Sequence, residues 1–140
     1  MITKRQVERY AADVPKLGFV ACLDPRGRAE ASLKTILPDL KEGGYQVLGN
    51  QDLALAVDVS SESISVTRID EREVILLGRM VSELVAPGEA LNWAVSAVVD
   101  GRYDELKTLQ GVFALIIVDW AAQTVHVVSD LLGIQPFYVA

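Results

Sequence analysis

Cys22 is the only cysteine in the chain and the strongest nucleophile by residue type. A thiol becomes reactive when a neighbouring base or cation stabilises the thiolate. Its flanks, Val20-Ala21 and Leu23, offer neither, so Cys22 reads as a small buried hydrophobe. An enzyme built on Cys22 would need an activating group from elsewhere in the fold. His126, the one histidine, lies between Val125 and Val127 with no cysteine spacing near it. A zinc site takes three or four protein ligands, so His126 reads as a structural or surface residue. The acidic pairs Asp70/Glu71 and Asp104/Glu105 fall at element boundaries and read as solvated turn and helix-start charges. Trp93 and Trp120 read as core or interface aromatics. Leu77-Gly78-Arg79 is too short to carry meaning alone, and there is no GxGxxG or P-loop lysine motif. Spacing alone shows no catalytic constellation.

The elements that would position these residues follow from periodicity. Thr3 to Val14 reads as an amphipathic helix, with Thr3 and Gln6 as a capping box and Pro15 as its stop. Leu17 to Leu23 reads as a buried strand, and Asp24-Pro25-Arg26-Gly27 as a turn. Leu33, Ile36, Leu37 and Leu40 mark a second helix, kinked or ended near Leu37 by Pro38, and Glu42-Gly43-Gly44 breaks the chain. Strands are expected at Leu53–Val59, around Ile64–Val66 and at Val74–Leu77, arranged as an antiparallel meander. Pro87 and Glu89 should open a helix whose Leu91, Val95, Val98 and Val99 face inward, with Gly101 as its stop. A short helix through Leu106 and Leu109, then strands Val112–Trp120 and Thr124–Ser129, complete the pattern. Segregated runs of strands and helices indicate an α+β fold.

The 140 residues carry 51% hydrophobic and 23% charged side chains, with mean hydropathy +0.29, which excludes a disordered chain. No run approaches the ~18 apolar residues of a spanning helix, so no membrane association is expected. Thirteen basic against 19 acidic residues give a net charge of −6. Nucleic-acid binders usually present a basic field, so no nucleic-acid partner is expected. With one cysteine and no apolar leader, a cytoplasmic location is expected.

The C-terminal third carries a recognisable pattern. Leu109-Gln110-Gly111-Val112-Phe113-Ala114-Leu115-Ile116-Ile117-Val118-Asp119 precedes Val127-Val128-Ser129-Asp130-Leu131-Leu132-Gly133-Ile134-Gln135-Pro136-Phe137-Tyr138. Together they resemble L-x-G-x-F-A-F-A-L-W-D and A-R-D-x-x-G-x-K-P-L-Y-Y of the class II glutamine amidotransferase domain in the asparagine synthetase family. Gly111, Phe113, Ala114, Asp119, Asp130, Gly133, Pro136 and Tyr138 fall at the matching positions. Gly18 to Arg28 is similar to the family's opening strand and turn, and Leu76-Leu77-Gly78-Arg79 lies where the family has N-G-E. The resemblance implies an Ntn-hydrolase-like αββα sandwich, two antiparallel sheets between helices. It divides the chain into an N-terminal helical extension over 1–16 and a glutaminase-like domain over 17–140, truncated at its C-terminus relative to the family.

The departures from the family concern its chemistry. The family's nucleophile is an N-terminal cysteine whose own α-amine acts as base. Leu17 stands at that position, with sixteen residues before it. Leu77 replaces the asparagine that helps form the oxyanion hole, Arg79 replaces the glutamate, and Pro87 replaces the aspartate that holds the substrate amine. At Leu17, Leu77, Arg79 and Pro87 the resemblance therefore implies a degenerate site with no catalytic residue, no metal and no cofactor. ATP and magnesium would belong to an absent synthetase domain.

The resulting expectation is a non-catalytic glutaminase-like domain of an ATP-dependent amide-bond-forming protein, akin to β-lactam synthetases and lasso-peptide cyclases. It would pack on a synthetase domain or subunit. The alternative is a stand-alone ligand- or protein-binding regulatory module that reuses the emptied glutamine pocket. The apolar runs Val112–Val118 and Ile134–Ala140 further suggest surface meant for absent chain or a partner, so a homo-oligomer is expected.

Overall fold

Strand-forming runs dominate the chain from Phe19 onward, and they assemble into two separate antiparallel sheets. A computed structural model describes residues 19–24, 26–36, 45–58 and 62–130. The expected helix Thr3–Val14, Leu17 and the segment 131–140 lie outside the described residues. The class is α+β, and the chain divides into two compact units, one ending at Glu62 and one beginning at Ser63.

The first unit contains β1 (Phe19–Leu23), α1 (Ala29–Ile36), β2 (Tyr45–Gly49) and β3 (Leu53–Asp58), with sheet order β1-β3-β2. Asp24 builds the turn into α1. Its carbonyl accepts from the Gly27 amide at 3.1 Å and its Oδ1 from the Arg26 amide at 2.9 Å. Gly27 takes φ +73°, a conformation that suits glycine. Ala29 and Leu33 on α1 bury against Ala54 and Ala56 of β3, with Cys22 and Tyr45 at the margin. Leu53, Leu55 and Val57 alternate to the opposite side and are also buried, so β3 is covered on both faces. The expected burial of the first strand does not hold throughout: β1 is an edge strand, and Leu23 at its end is 67% exposed. Sequence periodicity gave no sign of β2, a short strand closed onto β3 by Asn50. Its Oδ1 accepts from the Asp52 and Leu53 amides at 2.9 and 3.0 Å, an Asx turn.

The second unit contains β4 (Ile64–Ile69), β5 (Arg72–Ser82), α2 (Ala90–Val99), a 3-10 helix (Tyr103–Thr108), β6 (Leu109–Asp119) and β7 (Thr124–Ser129). The sheet order is β4-β5-β6-β7. The expected meander is thus broken: β3 pairs with β1 and β2, whereas β4 begins the second sheet. On one face, Val74, Leu109, Phe113, Leu115 and Ile117 pack with Ala94, Val95 and Val98 of α2. Ile75, Ala114, Ile116 and Val118 alternate to the other face and are buried too. A strand buried on both sides reads as a continuous apolar run, which is why Phe113–Val118 lacks alternation, although Val112 at the start of the run is exposed.

Helix α2 ends in a Schellman motif. The Gly101 amide donates to the Val98 carbonyl at 3.1 Å and the Arg102 amide to Ala97 at 2.8 Å, with Gly101 at φ +70°. Arg102 then bonds Asp100, Ser96 and Glu105, tying the helix end to the 3-10 turn. Two expectations here are corrected. Val99 is 44% exposed rather than inward, because the buried stripe runs through Ala90, Ala94, Val95, Ala97 and Val98. Leu109 is not helical: it opens β6, where the ladder with Ser82 captures its backbone.

Two glycines let β5 and β6 approach closely. Gly78 has φ +84°, and a Cβ there would lie 2.1 Å from the Val112 carbonyl oxygen. Gly111 has φ +123°, and a Cβ there would lie 2.2 Å from the Arg79 carbonyl oxygen. The contacts are reciprocal and flank the Arg79–Val112 pair, while the register runs unbroken through both. Gly88 also has positive φ, +92°, but nothing stands within 4 Å of its missing Cβ. Left-handed backbone costs a non-glycine residue about 1–2 kcal/mol by itself. Gly88→Ala should therefore cost about that much, and Gly78→Ala about 3 kcal/mol or more, because backbone must also move. Urea midpoints measure both; equal losses would remove the close-approach argument.

Candidate functional site

The positions that the family resemblance singles out fall mainly on β5. Leu77 is half-buried and paired with Ile64 on one side and Ala114 on the other. Its side chain carries no donor. The next amide, that of Gly78, donates to the Ser63 carbonyl at 2.8 Å and so continues the β4–β5 ladder. Oxyanion stabilisation needs an N–H aimed at the reacting oxygen. Here the side chain has none to offer and the adjoining amide is engaged. Arg79 is exposed opposite Val112, so a cation occupies the position where the family has a carboxylate.

Pro87 lies in the exposed turn before α2 rather than in its first turn. The helix begins at Ala90, with Glu89 at the N-cap position and no side-chain cap. The Glu89 amide donates to the Ala86 carbonyl at 3.0 Å, which sets this turn ahead of the helix and corrects the expected helix start. Leu17 lies outside the described residues. Cys22 belongs to the first unit, while Leu77, Arg79 and Pro87 belong to the second.

The remaining candidates have local roles. Cys22 is half-buried against Ala29, Leu33, Ala54 and Ala56, none of which is a base or a cation. His126 is half-buried on β7 opposite Ile117, with Nε2 3.4 Å from Thr124 Oγ1. Asp70 occupies the β4–β5 turn at φ +55° and lies 3.8 Å from Arg72. Asp104 pairs with Lys107 at 2.6 Å, and Glu105 pairs with Arg102. Trp93 packs against the core of the second unit, and Trp120 is half-buried in the turn after β6. Among the described residues, no three histidine, cysteine or acidic side chains converge as a metal site would require.

One constellation escaped periodicity. Asp119 faces Arg72 across the β5–β6 ladder, with Oδ2 accepting from Arg72 Nε at 2.8 Å. Its Oδ1 accepts from the Ala122 amide at 2.9 Å in the turn to β7, where Gln123 sits at φ +53°. One carboxylate therefore joins β5, β6 and the β6–β7 turn. The Ala122 amide is the largest influence holding the carboxyl below its usual pKa. Partial burial opposes it, while the Arg72 charge and hydrogen bond and the Ala121 amide reinforce it. Asp119 stood out in the sequence only as part of the resemblance; Arg72, 47 residues away, had no local signal.

The residues that carry the resemblance are thus structural where they are described. Gly111 permits the close strand approach, Phe113 and Ala114 fill the interior, and Asp119 clamps the strands. Asp130 is 6% exposed, and its amide donates to the Phe113 carbonyl at 3.1 Å, carrying the pairing one residue past β7. Comparison of the chain with family models, curated proteins and solved structures finds no match.

Two measurements follow from these environments. Asp119→Asn should cost about 1–2 kcal/mol at pH 7, the range for losing charge-assisted hydrogen bonds at a partly exposed site. A carboxyl whose folded pKa lies below its unfolded value stabilises above the unfolded pKa and loses that contribution as pH falls through the folded value. The gap between parent and variant should therefore be constant from pH 7 to about 5 and close below about pH 4. A gap that persists at low pH would show that charge plays no part. At Cys22, iodoacetamide at neutral pH should react more slowly than with a small-molecule thiol; faster labelling would point to an activated thiolate.

Proposed function

We propose that this chain is a non-catalytic glutaminase-like domain of an asparagine-synthetase-like, ATP-dependent amide-bond-forming protein. Its layers would follow the Ntn-hydrolase-like αββα arrangement. The two antiparallel sheets, each with a helix on one face, are compatible with that arrangement. The observation that carries the reading is the state of β5 at Leu77-Gly78. An apolar side chain stands where the family places an amide, and the Gly78 amide is bonded to Ser63. Acyl transfer requires a nucleophile, a base and an oxyanion donor held together. With leucine at position 17 and Arg79 and Pro87 at two further family positions, each requirement of glutamine hydrolysis is replaced by a residue of the wrong chemistry.

The role left to such a domain is to pack on a synthetase domain or subunit, in the cytoplasm, leaving ATP and magnesium to that partner. The amine for bond formation would then come from the substrate itself rather than from glutamine. Purified protein incubated with glutamine should release neither ammonia nor glutamate above the no-protein rate. Steady turnover that survives repurification would overturn the reading.

A further inference from the structure

The exposed end of β5 and β6 carries a pattern that is complementary to itself. Arg79 and Val81 alternate onto one side of β5, and Glu83, in the turn just past the strand, is tied to that side by Gln110, so cation, apolar centre and anion follow one another. Val112, paired with Arg79, and Gln110, paired with Val81, lie on the same side. The opposite side is identified by Met80, Leu109 and Phe113, which pack toward α2. Val81 is 56% exposed and Val112 41%, and Arg79 and Glu83 are both exposed. The Glu83 carboxylate is held in place by Gln110, whose Nε2 donates to its Oε1 at 2.8 Å. Among the described residues, no acidic group pairs with Arg79 and no cation pairs with Glu83.

We propose that this surface is where two copies of the chain associate. A twofold axis lying over Val81, parallel to the sheet and perpendicular to β5, lays two such faces together with their β5 strands antiparallel. It sets Val81 against the partner copy's valine and brings each Arg79 to the other copy's glutamate. A surface with like charges at both ends would repel its twin; this one has opposite charges about an apolar centre, as an isologous contact requires. Val112 widens the apolar centre on the Arg79 side. The patch is small, so the dimer is weak and concentration-dependent, in the class of contacts below about 1,200 Å². The inference stands apart from the functional reading above, because it uses only the charge order and exposure of β5, β6 and the turn that follows β5.

Sedimentation velocity of the full chain over a hundredfold concentration range tests it. The parent should move from monomer toward dimer, and the shift should weaken in high salt. Arg79→Glu and Glu83→Arg should each raise the dissociation constant at least tenfold, since each puts like charges face to face. The double exchange, Arg79→Glu with Glu83→Arg, should restore association, because it inverts the pattern without spoiling its symmetry. Both positions are exposed, and circular dichroism checks that the fold is kept. A parent that stays monomeric throughout overturns the proposal. So do single variants that dimerise like the parent, or a double exchange that fails to recover.

Discussion

Eleven residues of β5 pair with eleven of β6, and the second unit is organised around that ladder. Its central stretch is apolar on both faces, so each strand can be buried only while its backbone groups are bonded to the other. An unpaired buried amide or carbonyl costs about as much as a lost hydrogen bond, so the two strands are buried together or not at all; a slip by one residue would turn every side chain of one strand to the opposite face. Three features hold the register. The Arg72–Asp119 pair marks one end, the Gly78 and Gly111 approaches mark the middle, and the Ser82–Leu109 pair marks the other end. A shift by one residue would set Gly78 or Gly111 against the wrong carbonyl and separate Asp119 from Arg72.

This constraint accounts for the division between what resembles the glutaminase pattern and what departs from it. Gly111, Phe113, Ala114, Asp119 and Asp130 all serve β6 or its pairing. Leu77, Arg79 and Pro87, where the pattern departs, each suit their local surroundings: Leu77 between apolar neighbours, Arg79 at an exposed strand position, Pro87 in a turn before a helix. Fold-level likeness is a poor guide to activity.

Much of this was legible from residue order. The strands near Val112–Trp120 and Thr124–Ser129 fell within three residues of their observed bounds, because a long apolar run and a following β-branched run leave few options. Gly101 reads as a stop from residue type alone, since glycine takes the left-handed backbone that closes a helix, and the Schellman bonds form there. The failures have equally local causes. Tyr45–Gly49 is short and half polar, so its strand character comes from pairing with β3 rather than from its own pattern. Val99 reads as inward on a wheel of valines, yet small Ala94 and Ala97 let the helix sit closer on a neighbouring stripe. The break between β3 and β4 lies in which strands pair, a long-range choice that no window of sequence records. The same holds for the Arg72–Asp119 clamp.

The placement of α2 has a consequence for the order in which the second unit assembles. Ser82 and Leu109 are 27 residues apart in the chain, whereas Arg72 and Asp119 are 47 apart. Closing a shorter loop costs less entropy, and a helix stopped cleanly at Gly101 shortens the effective loop further. Pairing therefore starts most cheaply beside α2, where Leu109 and Phe113 meet Val95 and Val98, and zips outward toward the hairpin turns. The charged pair lies at the far end, where the loop to be closed is longest. A chain emerging from synthesis would hold β5 without its main partner until β6 appears, leaving Ile75 and Leu77 uncovered for the whole interval. The length of that interval is set by α2 and the 3-10 turn, the only elements between the two strands.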